Sequence, residues 1–452
     1  MLAAEFALAF GLGEERVFFL GAGLSVVVFL LLNTLKVRWS RQIFVVTGLL
    51  LFIIALATRP DWMALTERAL KSGAFVAAFF SALAAVRSAA GSSEDIRRCG
   101  RFLADQPPGR RYLALTLGGH LFGIILLYGS ITLLGSLAET SARGEQNEEI
   151  RRIRTRRMLL AIQRGFIATL CWSPLTFSLA ITTSIVPGAS WGGVVGFGAV
   201  SAFLLAGTGW ALDSIFKPKL SGPRPKRGPA DNHWEKLAPL LILLTLLMGL
   251  VGALHYTTGL RTAAAVMLVV PILSFAWIML QVRGSAKFRG AYAARRAKRF
   301  VEAELPAYRP ELVLLVMAAF IGTLGSGLLG PWMAESGLDF TSVPVWLLLL
   351  VLLWLVPVTG QLGMNPILAV SLIGPLIPEA AAFGLSPNVV VLAIIAGWAL
   401  SGASSPFTAT TLMVGALGKV SALHVGWRWN LSYTLVSGLL LSIWVLAVAY
   451  LV

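Results

Sequence analysis

The chain has 452 residues, of which 57% are hydrophobic and only 13% charged, with a mean hydropathy of +0.80. That balance excludes a soluble enzyme and implies a polytopic membrane protein, because the apolar runs between charge clusters are long enough to span a hydrocarbon core. The net charge of +16 reads as the Lys/Arg bias of cytoplasmic loops, which sets orientation, rather than as a nucleic-acid footprint.

The opening MLAAEFALAF has no basic region and no cleavage site, so no removable signal peptide is expected. Spans are expected at about 17–35, 43–57 and 73–90. They are joined by KVRWSR and by the mixed-charge TRPDWMALTERALK, and followed by the basic EDIRRCGRFLADQPPGRR. Basic loops on the inside place the N-terminus outside. Cys99, in that basic loop, and Cys171, in an apolar segment, make no disulfide framework and read as free thiols.

The run 113–137 has the length of one span, yet charged segments flank it on both sides, the second carrying EEIRRIRTRR. Both flanks belong inside, so the run must enter and return. Gly129-Ser130 supplies a turn and a helix restart. The alternative is an ordinary span, which would flip every later loop. The re-entrant hairpin keeps roughly thirty of the 37 Lys and Arg inside. Arg59, Arg68, Lys71 and Arg261 are exceptions and stay outside.

The run 158–186 is apolar but broken at Ser173-Pro174, with Thr176, Ser178, Thr182 and Thr183 beyond the break. A span at about 192–212 returns the chain inside, and 214–236, which contains KPKLSGPRPKRGPADNHWEK, is a cytoplasmic linker. Spans follow at about 237–254, 263–280 and 311–329, the second ending in RGSAKFRGAYAARRAKR, a surface amphipathic helix. The run 343–378 holds VPVTGQLGMNP and reads as a second hairpin, entered from outside. A broken segment follows at 389–414, then Lys419 and Arg428 in an inside loop, then an exit span at 431–452. Both termini are thus expected outside the cytoplasm, in a multi-pass plasma (cell inner) membrane protein.

Each half has the same order: three spans, a hairpin, a broken span and a final span. The halves enter from opposite sides, so residues 1–213 and 237–452 are expected to be inverted-topology repeats of an all-α membrane fold. SPLTFS at 173–178 echoes SPFTAT at 405–410. Ser130 and Asn365 precede these breaks by roughly forty residues each.

With Gly363-Met364-Asn365-Pro366 at a hairpin tip and two Ser-Pro breaks, the chain resembles the ion transporter superfamily. That group includes divalent-anion/sodium symporters, arsenite and citrate permeases and sodium/proton antiporters. Its best-studied members carry Ser-Asn-Thr at both tips, where this chain has Gly129-Ser130-Ile131-Thr132 and Gly-Met-Asn-Pro. The resemblance implies a homodimer in which a mobile transport domain moves like an elevator against a scaffold.

Helix starts after Ser130, Ser173, Asn365 and Ser405 are expected to converge near the midplane. Their free N–H groups and dipoles favour an anion without a buried arginine. The expected substrate site is Gly129, Ser130, Thr132, Ser173, Pro174, Thr176, Gly363, Asn365, Pro366, Ser405, Pro406 and Thr408. Ser178 and Thr410 are coupling-ion candidates. For each hydroxyl the competing reading is a bond back to its own helix. His120 is the third coupling-ion candidate, although a buried His is more often a neutral packing group. Trp62, Trp191 and Trp332 read as interfacial anchors.

The function expected is a secondary active transporter moving a small organic acid or oxyanion with sodium or protons. No cofactor or metal is expected beyond a sodium ion held by hydroxyls and carbonyls. The rivals are a cation antiporter of the same fold, disfavoured by the lack of intramembrane carboxylates, and a membrane enzyme acting on lipid-linked substrates.

Overall fold

A computed structural model describes all residues except 10, 12, 14, 108, 218–232, 283–285, 337–342, 378 and 452. Most of the expected linker 214–236 lies outside the described residues. The described residues form helices and no strand. Nine of those helices are long and apolar enough to cross a membrane.

The first half begins with α1 (Leu2–Ala9), α2 (Glu15–Asn33), α3 (Trp39–Thr58) and α4 (Trp62–Gly91). The third span was expected to start at 73, but its helix starts at Trp62. Hydropathy marks where an apolar run begins, whereas helix formers such as Ala64, Leu65 and Glu67 already sustain the helix through the charged turns. The amphipathic α5 (Glu94–Ala104) places Cys99 in a helix rather than a loop, with its thiol buried and directed to Lys236 O at 2.9 Å. Ser93 caps this helix by accepting from Ile96 N.

Next come α6 (Arg111–Leu126) and α7 (Gly129–Arg143), packed as a hairpin, then α8 (Glu148–Thr169), α9 (Phe177–Ile185) and α10 (Trp191–Ile215). Asn147 caps α8 through Ile150 N at 3.2 Å. The second half runs through α11 (Ala238–Thr258), α12 (Thr262–Leu280), the basic surface helix α13 (Ala286–Arg299), α14 (Leu305–Ala307) and α15 (Arg309–Glu335). It continues as α16 (Val345–Gln361), α17 (Pro366–Ile373), α18 (Pro387–Ser404), α19 (Ala409–Gly418), α20 (Ala422–His424) and α21 (Leu431–Leu451).

Equivalent packings occur in both halves. The half-helix α8 packs on α6 and α10, as α18 packs on α16 and α21; α9 meets α17 and α18, as α19 meets α7 and α8. Two glycines show how tightly these pairs approach. A Cβ on Gly165 would overlap Thr116 O of α6, and a Cβ on Gly397 would overlap Leu353 O of α16. Both positions therefore require glycine for backbone-to-backbone contact, the close approach that small residues allow between membrane helices. Gly397 lies 232 residues after Gly165, the same offset that separates Ser405 from Ser173.

Candidate functional site

Three hydrogen bonds recur in both breaks. In the first, Thr176 Oγ1 donates to Ser173 O at 2.7 Å, Ser178 Oγ donates to Leu170 O at 2.6 Å, and Ser173 Oγ accepts from Leu175 N at 3.4 Å. In the second, Thr408 Oγ1 donates to Ser405 O at 2.9 Å, Thr410 Oγ1 donates to Gly402 O, and Ser405 Oγ accepts from Phe407 N at 3.3 Å. Every position in the second set lies 232 residues after its counterpart.

The arrangement leaves oxygens facing one another. Ser178 Oγ is within donating distance of Thr176 Oγ1 at 3.0 Å, and Thr408 Oγ1 and Thr410 Oγ1, either of which can donate, are also 3.0 Å apart. Each hydroxyl has one hydrogen, and where that hydrogen follows the bond to a carbonyl, none remains for the gap between the oxygens. Thr411 joins the second group, 3.1 Å from Thr408 Oγ1, and itself donates to Ser405 O at 2.6 Å. Each break thus presents paired hydroxyl lone pairs, the hard-oxygen chemistry that suits a small cation.

Helix starts differ from expectation at three of four places. Ser173-Pro174 and Ser405-Pro406 end the preceding half-helices in turns, and the next helices start at Phe177 and Ala409, with Thr176 and Thr408 at the N-cap positions. The threonines use their hydroxyls on carbonyls, so they do not cap by side chain. Asn365 behaves as expected: its Oδ1 accepts from Ile367 N at 2.8 Å, with Pro366 at the first helical position. In the first hairpin the turn falls at Leu127-Tyr128, where Leu127 takes φ 51°, and Gly129 already opens α7. Ser130 is therefore not a cap; its hydroxyl returns to Leu127 O at 2.7 Å. Thr132 bonds Gly129 O at 3.0 Å and is exposed. The second hairpin turns at Gly363, φ 88°, a conformation suited to glycine.

The structure brings the second tip onto the second break. Ser405 Oγ donates to Gly360 O at 2.6 Å, and a Cβ on Gly363 would sit in ordinary contact with the Phe407 ring. The first tip instead meets α8 just ahead of its break, through Tyr128 and Phe166 with ring centroids 5.3 Å apart. Gln163 links the breaks by donating to Gly402 O at 3.2 Å, where Ile167 and Leu170 also pack. Access differs between the halves. Ser173, Pro174, Thr176 and Ser178 are buried, with Phe79 and Phe80 of α4 against Phe177, whereas Phe407 is exposed and Thr408 only half-buried.

His120 is held at both nitrogens: Trp172 Nε1 donates to His120 Nε2 at 3.1 Å, and Nδ1 faces Gly165 O at 3.2 Å. Nε2 must be the acceptor and Nδ1 the donor, which is the neutral Nδ1–H tautomer. Trp172 adjoins Ser173, so this histidine braces the break.

A buried arginine was not expected, yet Arg164 lies inside the apolar run at 5% exposure. Its Nε donates to Asn430 Oδ1 (3.1 Å), Nη1 to Tyr112 OH (3.0 Å) and Nη2 to Trp429 O (3.3 Å), and it sits 4.4 Å over the Tyr433 ring. Asn430 in turn donates to Gln163 Oε1 at 3.0 Å. The sequence carried a signal, Gln163-Arg164 within 158–186, which a search for intramembrane acids alone passes over. The nearby carboxylate of Asp213 is occupied by a two-pronged bond from Arg157 at 2.8 and 2.6 Å.

The fold is similar to that of the Alcanivorax borkumensis YdaH transporter, at 16% identity over 90% of this chain and 98% of that one, with a TM-score of 0.56. It is also similar to Neisseria gonorrhoeae MtrF, described with a class of antimetabolite efflux pumps, at 14% identity over 90% and 95% of the two chains and a TM-score of 0.53. No family model and no curated protein matches the chain.

Proposed function

We propose that this protein is a secondary active transporter of a small anion, organic acid or oxyanion, coupled to sodium. The observation that carries the reading is the repeated break, in which paired hydroxyl oxygens recur at one offset in both halves. Such broken backbone is tolerated at membrane depth only where it lines a site. The shared fold with two membrane transporters supports transport in general.

In this reading, residues 1–213 and 237–452 are inverted repeats of an ion-transporter-superfamily protein, which sits in the plasma membrane as a homodimer with both termini outside. The hairpins and broken helices form the mobile domain of an elevator, and α2–α4, α11, α12 and α15 form the scaffold. Sodium is favoured over protons because hydroxyls, and no carboxylates, line the breaks, and because His120 is engaged at both nitrogens. The anion is received by the first-turn N–H groups of α9 and α19, which have no partner in their own helical ladders; α17 adds only Leu368 N, since Pro366 has no N–H and Asn365 already takes Ile367 N.

The test begins with a thermal-unfolding screen of carboxylates, sulfonates and oxyanions, with and without sodium, because ligands of the folded state raise its apparent stability. Uptake or counterflow of the best hit is then measured in proteoliposomes. Ser405→Ala and Asn365→Ala are expected to abolish sodium-driven flux while leaving expression intact. Wild-type flux in both variants would sink the site.

A further inference from the structure

Four cations stand on the wrong side of the charge rule: Arg59, Arg68, Lys71 and Arg261. The structure gathers three of them around one cavity of about 410 Å³, and among the described residues Glu5 is the only acidic side chain in its wall. Leu65, Ser72 and Phe75 of α4, Thr323 and Ser326 of α15, Ser184 of α9 and Pro375 also line it. These positions come from the first half of α4, the α11–α12 connection, the end of α9, the inner part of α15 and the stretch just after α17.

The cations are weakly neutralised. Arg68 is 3.9 Å from Asp61, but that carboxylate already takes the Arg59 guanidinium at 2.9 Å. The Arg59 hydrogen bond holds the Asp61 carboxyl below its ordinary range, so Asp61 stays ionised and committed to Arg59. Arg261 lies 3.8 Å from Glu5, beyond hydrogen-bond reach, and Lys71 Nζ rests 3.5 Å over the Phe19 ring. Asp61, Glu67 and Glu15 act on these cations from outside the wall, and within the wall three cations face Glu5 alone, an excess of positive charge beside apolar side chains, where such charge is costly. Ser184 belongs to α9, whose other end is the first break, eight residues and roughly 12 Å away along the helix.

We propose that this cavity is an anion-binding vestibule, which captures a carboxylate- or phosphate-type anion before it reaches the breaks. The assignment rests on the anion-transport reading above. A positively charged cleft with low-dielectric walls concentrates anions and speeds their arrival about tenfold or more.

The test uses the full chain carrying Ser72→Cys, with the two buried native thiols as background measured on the parent. Modification rates are compared for sulfonatoethyl and trimethylammonioethyl methanethiosulfonate, each normalised to free cysteine. The anionic reagent should react about tenfold faster or more. The preference should fall towards unity when Arg68→Gln, Lys71→Gln and Arg261→Gln are combined, and should rise with Glu5→Gln, a second variant in case the triple one misfolds. Equal rates on the Ser72→Cys chain, or a preference unmoved by Glu5→Gln and the triple variant, would overturn the vestibule.

Protection of the cysteine by citrate or inorganic phosphate supports a soluble anion. Protection by phosphatidylglycerol, with none from soluble anions, reassigns the cavity to a lipid headgroup and overturns the solute role. Flux is measured separately: absent flux with the rate preference intact faults the transport reading and leaves the vestibule standing.

Discussion

The paired hydroxyls make the sharpest prediction. Thr408→Val keeps the side-chain shape and removes one oxygen from the second break. The lost bond to Ser405 O leaves no orphan, because Ser405 O still accepts from Thr411 Oγ1 at 2.6 Å and Thr408 N at 3.3 Å. Without sodium the variant should therefore lose only about 1 kcal/mol. A sodium ion held by Thr408, Thr410 and Thr411 would lose one of three hydroxyl ligands. A contact to a charged group is worth about 1.5–3 kcal/mol, which weakens binding roughly ten- to 150-fold. The assay is thermal unfolding against sodium concentration, with choline holding ionic strength constant. At a sodium concentration of 100 times the parent dissociation constant, binding stabilises by about 2.7 kcal/mol. A variant thirtyfold weaker would retain about 0.9 kcal/mol there. Thr176→Val should act likewise in the first half. Identical sodium dependence in parent and both variants, or equal stabilisation by choline, would refute the reasoning.

Gly165→Ala and Gly397→Ala should each destabilise by about 1–3 kcal/mol or more, since the new methyl meets a carbonyl of the facing helix. Gly249→Ala, with nothing within 4 Å of its Cβ, is the control in the same thermal-unfolding measurement. His120→Gln should lower the unfolding midpoint while leaving the pH profile of flux unchanged, and loss of a pH-dependent limb would make His120 a proton carrier after all. Arg164→Ala strands Asn430 Oδ1 and Trp429 O without their donor and should cost about 2–4 kcal/mol. Arg164→Lys, which keeps the charge but not the three-armed geometry, should recover part of that loss, and an unfolding midpoint equal to the parent's in Arg164→Ala would show the network to be dispensable.

Much of the helical plan was legible because hydropathy and capping act locally. Asn365-Pro366 could be placed to the residue, since an Asx cap followed by proline has one favoured conformation. Ser173-Pro174 and Ser405-Pro406 were misplaced by the same rule. Proline also disfavours helix in the residue before it, so it can close one helix as readily as it opens another. Here the serine hydroxyls accept from the residue two ahead and hold a turn. Nothing in the composition of LLYGSIT announces that Leu127, and not Gly129, takes the positive φ. The neighbouring Tyr128 packs on Phe166 of α8, a contact that local composition does not contain.

The polar core was harder to read, because charge type had been tied to function. Counting carboxylates in apolar runs finds none, and that fits an anion site, but the same count ignores Gln163, Arg164 and Asn430. Together these tie α8 to Gly402 at the second break. A cation satisfied by neutral acceptors leaves no acidic partner in the sequence to betray it. Exposure was equally out of reach. The two breaks share one internal set of hydrogen bonds, yet the first is sealed beneath Phe79 and Phe80 while the second opens beside Phe407. Shared hydrogen bonds under unequal cover cannot come from local sequence alone; the cover of the first break comes from α4. In the proposed transport cycle that difference is what must exchange, so motion of α9 against α4 should uncover the first break.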